Sequence, residues 1–200
     1  MKPENLVFDT NGYLKLTDFG IAEYWSPGLD NHDVVSGTPG YMAPEVMLNR
    51  NHDQSADYFA LGVIACECMT GKRPYKGKSK NQIRDKILEG SIVLEITEDC
   101  AWADYPPEAC DFINQCINTN PHQRLCGLDK VKAHPWFKDF DWEALQKLKI
   151  DPIYKPDAKA QNFDQKNIDL PYDDEGLLEE FERELQRLEN HEPFKRYFYD

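Results

Sequence analysis

The 200-residue chain has no excess of positive charge: 36 Asp and Glu stand against 23 Lys and Arg, for a formal net charge of −13. Nucleic acid and anionic membrane surfaces are bound mainly through positive charge, so neither is an expected partner. Its six cysteines, Cys66, Cys68, Cys100, Cys110, Cys116 and Cys126, form no C-x-x-C pair and have no paired histidine spacing, which excludes the usual zinc frameworks. Several lie among apolar residues at helical spacing, where a free thiol behaves as a small hydrophobe. A reduced, intracellular and cytoplasmic setting is the expectation. The chain also lacks any 18-residue apolar run and any signal-type apolar stretch after Met1, so neither membrane insertion nor secretion is expected. Residues 120–200 contain no Ser and no Thr, which removes hydroxyl phosphorylation on those residue types from that whole stretch.

What is present allows a real core. Hydrophobic residues make up 40% of the chain, and the length suits one domain, or one domain with an appendage. The acid is unevenly spread: residues 151–200 carry 14 Asp and Glu against 7 Lys and Arg. Basic peptides fit such a chain better than anionic polymers do.

The first forty-five residues carry the densest chemistry. They run Lys2-Pro3-Glu4-Asn5, Asp18-Phe19-Gly20, and Gly37-Thr38-Pro39-Gly40-Tyr41-Met42-Ala43-Pro44-Glu45. Leu6–Phe8 and Tyr13–Thr17 alternate around Asp9-Thr10-Asn11-Gly12, whose Asn-Gly tolerates positive φ, so a hairpin is predicted that brings Asn5 beside Asp18. Taken singly, an Asp-Phe-Gly or an Asp-Asn pair across a hairpin reads as an ordinary turn. Further along, Ser55 to Met69 reads as a helix apolar on nearly every face, capped by Ser55 and ended by Gly71. Ser79 with Gln82 opens a helix over Lys80–Leu88, Pro107 opens another that carries Phe112 and Ile113, and Asp129–Ala133 forms a third.

Three spaced motifs in this order resemble the protein-kinase machinery, in which H-R-D-L-x-x-x-N precedes D-F-G and A-P-E. Met1 stands where the Leu of the first motif belongs and Asn5 where its Asn belongs, while the His-Arg-Asp triplet is not in the sequence. The resemblance implies a mainly α fold with a small β-hairpin: the C-terminal lobe of the α+β kinase fold over residues 1–137, without its N-terminal lobe, and a tail over 138–200. It implies ATP and Mg2+ as cofactors, with Asn5 and Asp18 as the metal-holding oxygens. Lys2 resembles the lysine that touches the transferred phosphate, and Thr38 the residue that contacts the catalytic Asp and Lys. Asp57 resembles the acid that bonds the catalytic-loop backbone, and Arg124 the partner of Glu45 in a buried ion pair. Glu4 and Glu67 occupy positions where kinases that prefer Arg or Lys in their protein substrates carry acids. Ser36 is the only Ser or Thr near Val34, the position of the usual activating phosphate, so this segment is not expected to be switched by it.

The tail narrows the resemblance to the AGC group. Pro152 to Pro156 reads as the extended segment, Asn162-Phe163-Asp164 as the piece over the nucleotide, and Phe194 with Tyr197 as the hydrophobic motif. An amphipathic helix over about 174–190 lies between the last two. With Phe198 where the phosphorylated residue would lie, tail docking is expected to be constitutive. The resemblance makes an N-terminal lobe in cis the expected docking partner. As it stands, the chain lacks the general-base Asp, the Gly-rich loop and the phosphate-gripping Lys, and the expectation for it alone is inactivity. A reading frame opening at an internal Met would give such a chain; the rival expectation is a genuine short product acting as a non-catalytic binding module or decoy.

Overall fold

The computed structural model describes residues 1–26, 28, 36–77, 79–89, 105–157 and 159. Contacts divide the chain after Lys155, and nearly all described residues belong to the first unit, Met1–Lys155. The expectations for Val34, Phe163, the helix over 174–190, Phe194 and Tyr197 fall outside the described residues.

The expected architecture, mainly helical with one small hairpin, is the one found. A 3-10 turn, Pro3–Asn5, leads into β1 (Leu6–Phe8), which pairs antiparallel with β2 (Leu14–Leu16), Leu6 opposite Leu16 and Phe8 opposite Leu14. The turn between them is built by Asp9, whose Oδ1 accepts the N–H groups of Asn11 and Tyr13, each at 2.9 Å. Those backbone bonds, Tyr13's foremost, hold the Asp9 carboxyl below the usual range. Gly12 has φ 91°, as the Asn-Gly pair requires, and a Cβ there would lie 2.2 Å from the Tyr154 carbonyl oxygen. The Tyr13 hydroxyl donates to the Ile150 carbonyl at 2.6 Å. Thus the stretch entering Asp151-Pro152 is laid against the hairpin turn, which fixes the strand ends.

Six helices follow among the described residues: α1 (Pro44–Met47), α2 (Ser55–Thr70), α3 (Lys80–Leu88), α4 (Pro107–Cys116), α5 (Leu128–Ala133) and α6 (Trp142–Gln146). The all-round apolar α2 is the centre of the core: Phe59, Ala60, Val63, Ile64 and Cys66 are buried, packed with Phe112, Ile113, Cys116 and Ile117 of α4 and its end. A large apolar side chain buried this way contributes about 1.5–3 kcal/mol relative to exposure. Gly62 lets the two helices approach, since a Cβ there would fall 2.5 Å from that of Cys116. The α3 bounds agree with those expected, and Ser79 Oγ accepts the Gln82 N–H at 3.3 Å.

The start of α2 differs from expectation. Ser55 is not the cap but the first helical residue, and its buried Oγ has no hydrogen-bond partner. Asp53 supplies the acceptor instead, Oδ1 taking the Ser55 N–H at 2.8 Å. A carboxylate two residues ahead is the stronger acceptor, and it leaves Ser55 turned into the core.

The predicted pairing of Arg124 with Glu45 is present and buried. Nη1 and Nη2 of Arg124 donate to the two Glu45 oxygens at 2.6 and 2.9 Å, Nη1 also to the Ser55 carbonyl at 3.0 Å, and Nε to the Asn118 carbonyl at 2.9 Å. The guanidinium carbon lies 5.1 Å from the Phe59 ring centre. Phe112 of α4 and Trp136, Phe137, Phe140 and Trp142 beyond α5 form a run of tilted and edge-on ring contacts, so residues past 137 continue the same packing.

Removing one side of a buried pair leaves an uncompensated charge and costs about 3–5 kcal/mol. Arg124→Ala is therefore expected to lower stability by that amount in urea unfolding; an unchanged melting temperature would refute the pairing's importance. Burial is the main force pushing the Cys66 thiol up to about 11 and the Cys116 thiol up to about 12, from an ordinary 9.0. A thiol that keeps its proton only when folded contributes stability that is present below about pH 9 and lost as pH rises further. The urea midpoint should hold to about pH 9 and decline above it, with the decline reduced in a C66A/C116A variant; exposed Cys68 should be alkylated in the folded chain while Cys66 and Cys116 are protected.

Candidate active site

The hairpin delivers what its pattern promised. Asn5 closes the 3-10 turn, and its carbonyl accepts the Thr17 N–H at 2.8 Å, which locks the two strand ends together. One residue later Asp18 meets the Asn5 side chain, Nδ2 donating to Asp18 Oδ2 at 3.1 Å. Asp18 has φ 59°, a left-handed conformation that costs an L residue about 1–2 kcal/mol. Its Oδ1 accepts the Gly20 N–H at 3.3 Å, which helps hold that backbone. Asn5 and Asp18 line an open cavity of about 330 Å³ together with Phe19, Thr38, Tyr41 and Asp57.

The donor set fits a hard divalent cation. With Nδ2 donating to Asp18, the Asn5 amide oxygen is left as an acceptor, and Asp18 is exposed, so two neighbouring residues with oxygen donors line the cavity. No group of three or more His, Cys, Asp or Glu that could hold a metal occurs among the described residues. Two protein oxygens suit Mg2+, which keeps most of its shell for water and phosphate oxygens, better than an all-protein cage.

The other expected residues divide. Thr38 lines the same cavity and its carbonyl accepts the Tyr41 N–H at 3.0 Å. Asp57 lies at the cavity too; it is exposed, and its Oδ1 is directed to the main-chain nitrogen of Met1 in the loop, at 3.9 Å, beyond hydrogen-bond distance. Lys2 is half-buried beside the turn and is not among the cavity-lining residues. Glu45 and Arg124 lie beneath, as the structural pair described above.

Glu4 and Glu67 converge on one aromatic residue that the sequence reading passed over. The Tyr41 hydroxyl donates to Glu67 Oε2 at 2.5 Å. Burial first, then the Glu67 bond and the Glu67 and Glu4 charges, push the Tyr41 phenol well above its ordinary value. Arg73 was also missed: its Nε lies 3.8 Å from Glu67 Oε1, and its guanidinium sits 5.5 Å from the Tyr41 ring centre. The available signal was a tyrosine directly after Gly40 and a cation shortly after the end of α2.

Comparison with known proteins agrees with this geometry. The protein kinase domain family matches residues 1–137. A cGMP-dependent protein kinase of Drosophila melanogaster (isozyme 2 forms cD5/T2) is 38% identical over 184 residues, 88% of this chain and 19% of that protein. The serine/threonine-protein kinase AtPK1/AtPK6 of Arabidopsis thaliana is 33% identical over 82% of this chain and 35% of its own length. Protein kinase C epsilon type of Oryctolagus cuniculus is 31% identical across 100% of this chain and 27% of its own. The chain belongs to the protein kinase family, in its AGC group. It spans about a fifth to a third of the length of these relatives.

Proposed function

We propose that this chain forms the C-terminal part of a serine/threonine protein kinase that moves the γ-phosphate of ATP to a Ser or Thr of a protein substrate. The observation that carries the reading is the Asn5–Asp18 contact at 3.1 Å on the cavity wall. Mg2+ held at this site would supply neutralising charge for the transferred phosphate. Asn5 and Asp18 would hold that ion, Asp18 being set by its left-handed backbone and the Gly20 bond. Thr38 would position the segment that receives the acceptor, Lys2 would touch the transferred phosphate, and Phe163 would cover the nucleotide. The general base is an Asp that these residues do not include, so transfer needs the polypeptide that supplies it, with an N-terminal lobe in cis bearing the Gly-rich loop.

Residues 1–137 are proposed as the catalytic lobe and 138–200 as the tail, with Phe194 and Tyr197 as its docking motif. Basic residues near the acceptor would be drawn to Glu4 and Glu67, whose charges already converge at Tyr41. An intracellular setting belongs to the same proposal, supported by the burial of Cys66, Cys110 and Cys116 in the core, where a thiol serves as a small hydrophobe.

The test is phosphate transfer from ATP to a basic Ser/Thr peptide by the complete polypeptide. Asp18→Asn should lower kcat on the order of 10²–10³-fold, the loss typical of one electrostatic stabiliser, with the melting temperature unchanged. The isolated 200 residues should transfer none. Full activity in the Asp18→Asn enzyme would overturn the proposal.

A further inference from the structure

We propose that Arg73 is a built-in competitor for the Glu67 carboxylate, so that an acceptor peptide gains less from an arginine offered to that acid than the bare acid would give. The inference rests on the kinase reading above, in which Glu67 faces the acceptor. Both oxygens of Glu67 are engaged from within the chain: Oε2 by the Tyr41 hydroxyl, Oε1 by Arg73. The guanidinium is held there by three features: the Glu67 charge, the face of Tyr41, and the space left by Gly40. A Cβ at Gly40 would fall 1.9 Å from Arg73 Nη1, so the guanidinium fills the volume that any other residue's side chain would take. The turn that ends α2 at Gly71 brings Arg73 back over the last turns of the helix, where Glu67 lies.

The contact is displaceable. Arg73 and Glu67 side chains are 39% and 30% exposed, and an ion pair of 3.8 Å in that setting is weak. A substrate arginine must therefore compete with a tethered guanidinium for an acid whose charge is already partly neutralised. The result is a specificity device. Arg73 does not forbid basic acceptors; it lowers the advantage that an arginine at this one subsite would give, and it spares neutral residues a bare carboxylate.

The test uses two acceptor peptides that differ only by arginine or its neutral isostere citrulline upstream of the Ser. Each is titrated into the 200-residue chain by fluorescence anisotropy, and the ratio of the two Kd values is read. Arg73→Ala should raise the arginine preference about two- to fivefold, the range open to an exposed pair, and adding Glu67→Gln should cancel that rise. Gly40→Ala, which displaces the guanidinium while keeping its charge, should shift the ratio in the same direction. An unchanged ratio in both Arg73→Ala and Gly40→Ala overturns the proposal. So does a rise that Glu67→Gln leaves intact, since that would be general relief of repulsion. If the ratio is unchanged but Glu67→Gln alone lowers the preference, the acidic subsite stands and only the shield falls. Phosphate transfer by the complete polypeptide, which depends on Asp18 and not on Arg73, decides the kinase reading separately.

Discussion

One buried guanidinium ties together the parts of this lobe that the site depends on. Arg124 reaches Glu45 of α1, the Ser55 carbonyl at the start of α2 and the Asn118 carbonyl after α4, while its flat face lies on Phe59 in the core. A planar fork of donors meets a carboxylate with two parallel charge-assisted bonds, which fixes angle as well as distance. Because Glu45 closes the run from Gly37, the same interaction anchors the far end of the segment that carries Thr38 and Tyr41. The ion pair thereby positions the cavity wall although it lies beneath it.

The near wall has a different source of rigidity. A hairpin of two three-residue strands is marginal by itself. Here it is braced at both ends: by the Asn5–Thr17 bonds at the base and by Ile150, Pro152 and Tyr154 against its turn. That bracing lets Asp18 persist in a left-handed conformation, with its carboxylate beside Asn5. Backbone strain of this kind survives only where the surroundings over-determine it.

Acidity in this chain is local as well as global. Glu4 and Glu67 come from a turn and a helix far apart in sequence, yet both act on the Tyr41 hydroxyl. Tyr41 and Arg73 are the other half of that arrangement, and they convert a half-buried acid into a partly compensated one.

Sequence alone determined what depends on local pattern and on motif order. The hairpin, α2 and α3 followed from turn chemistry, apolar period and caps; the Asn5–Asp18 neighbourhood followed from the hairpin; and the pairing of Glu45 with Arg124, 79 positions apart, followed from motif resemblance rather than from physics that could be read off the string. Only the tertiary structure decided the rest. Whether Ser55 or Asp53 caps α2 depends on which way Ser55 faces, and its burial against the core settles that. That Arg73 reaches Glu67 depends on the turn after α2, on the Tyr41 face and on a missing Cβ at Gly40, features from two stretches about thirty residues apart. Short-range propensity sees one residue and its neighbours in the chain; a contact made in space across tens of residues becomes definite only when the core has set the distances.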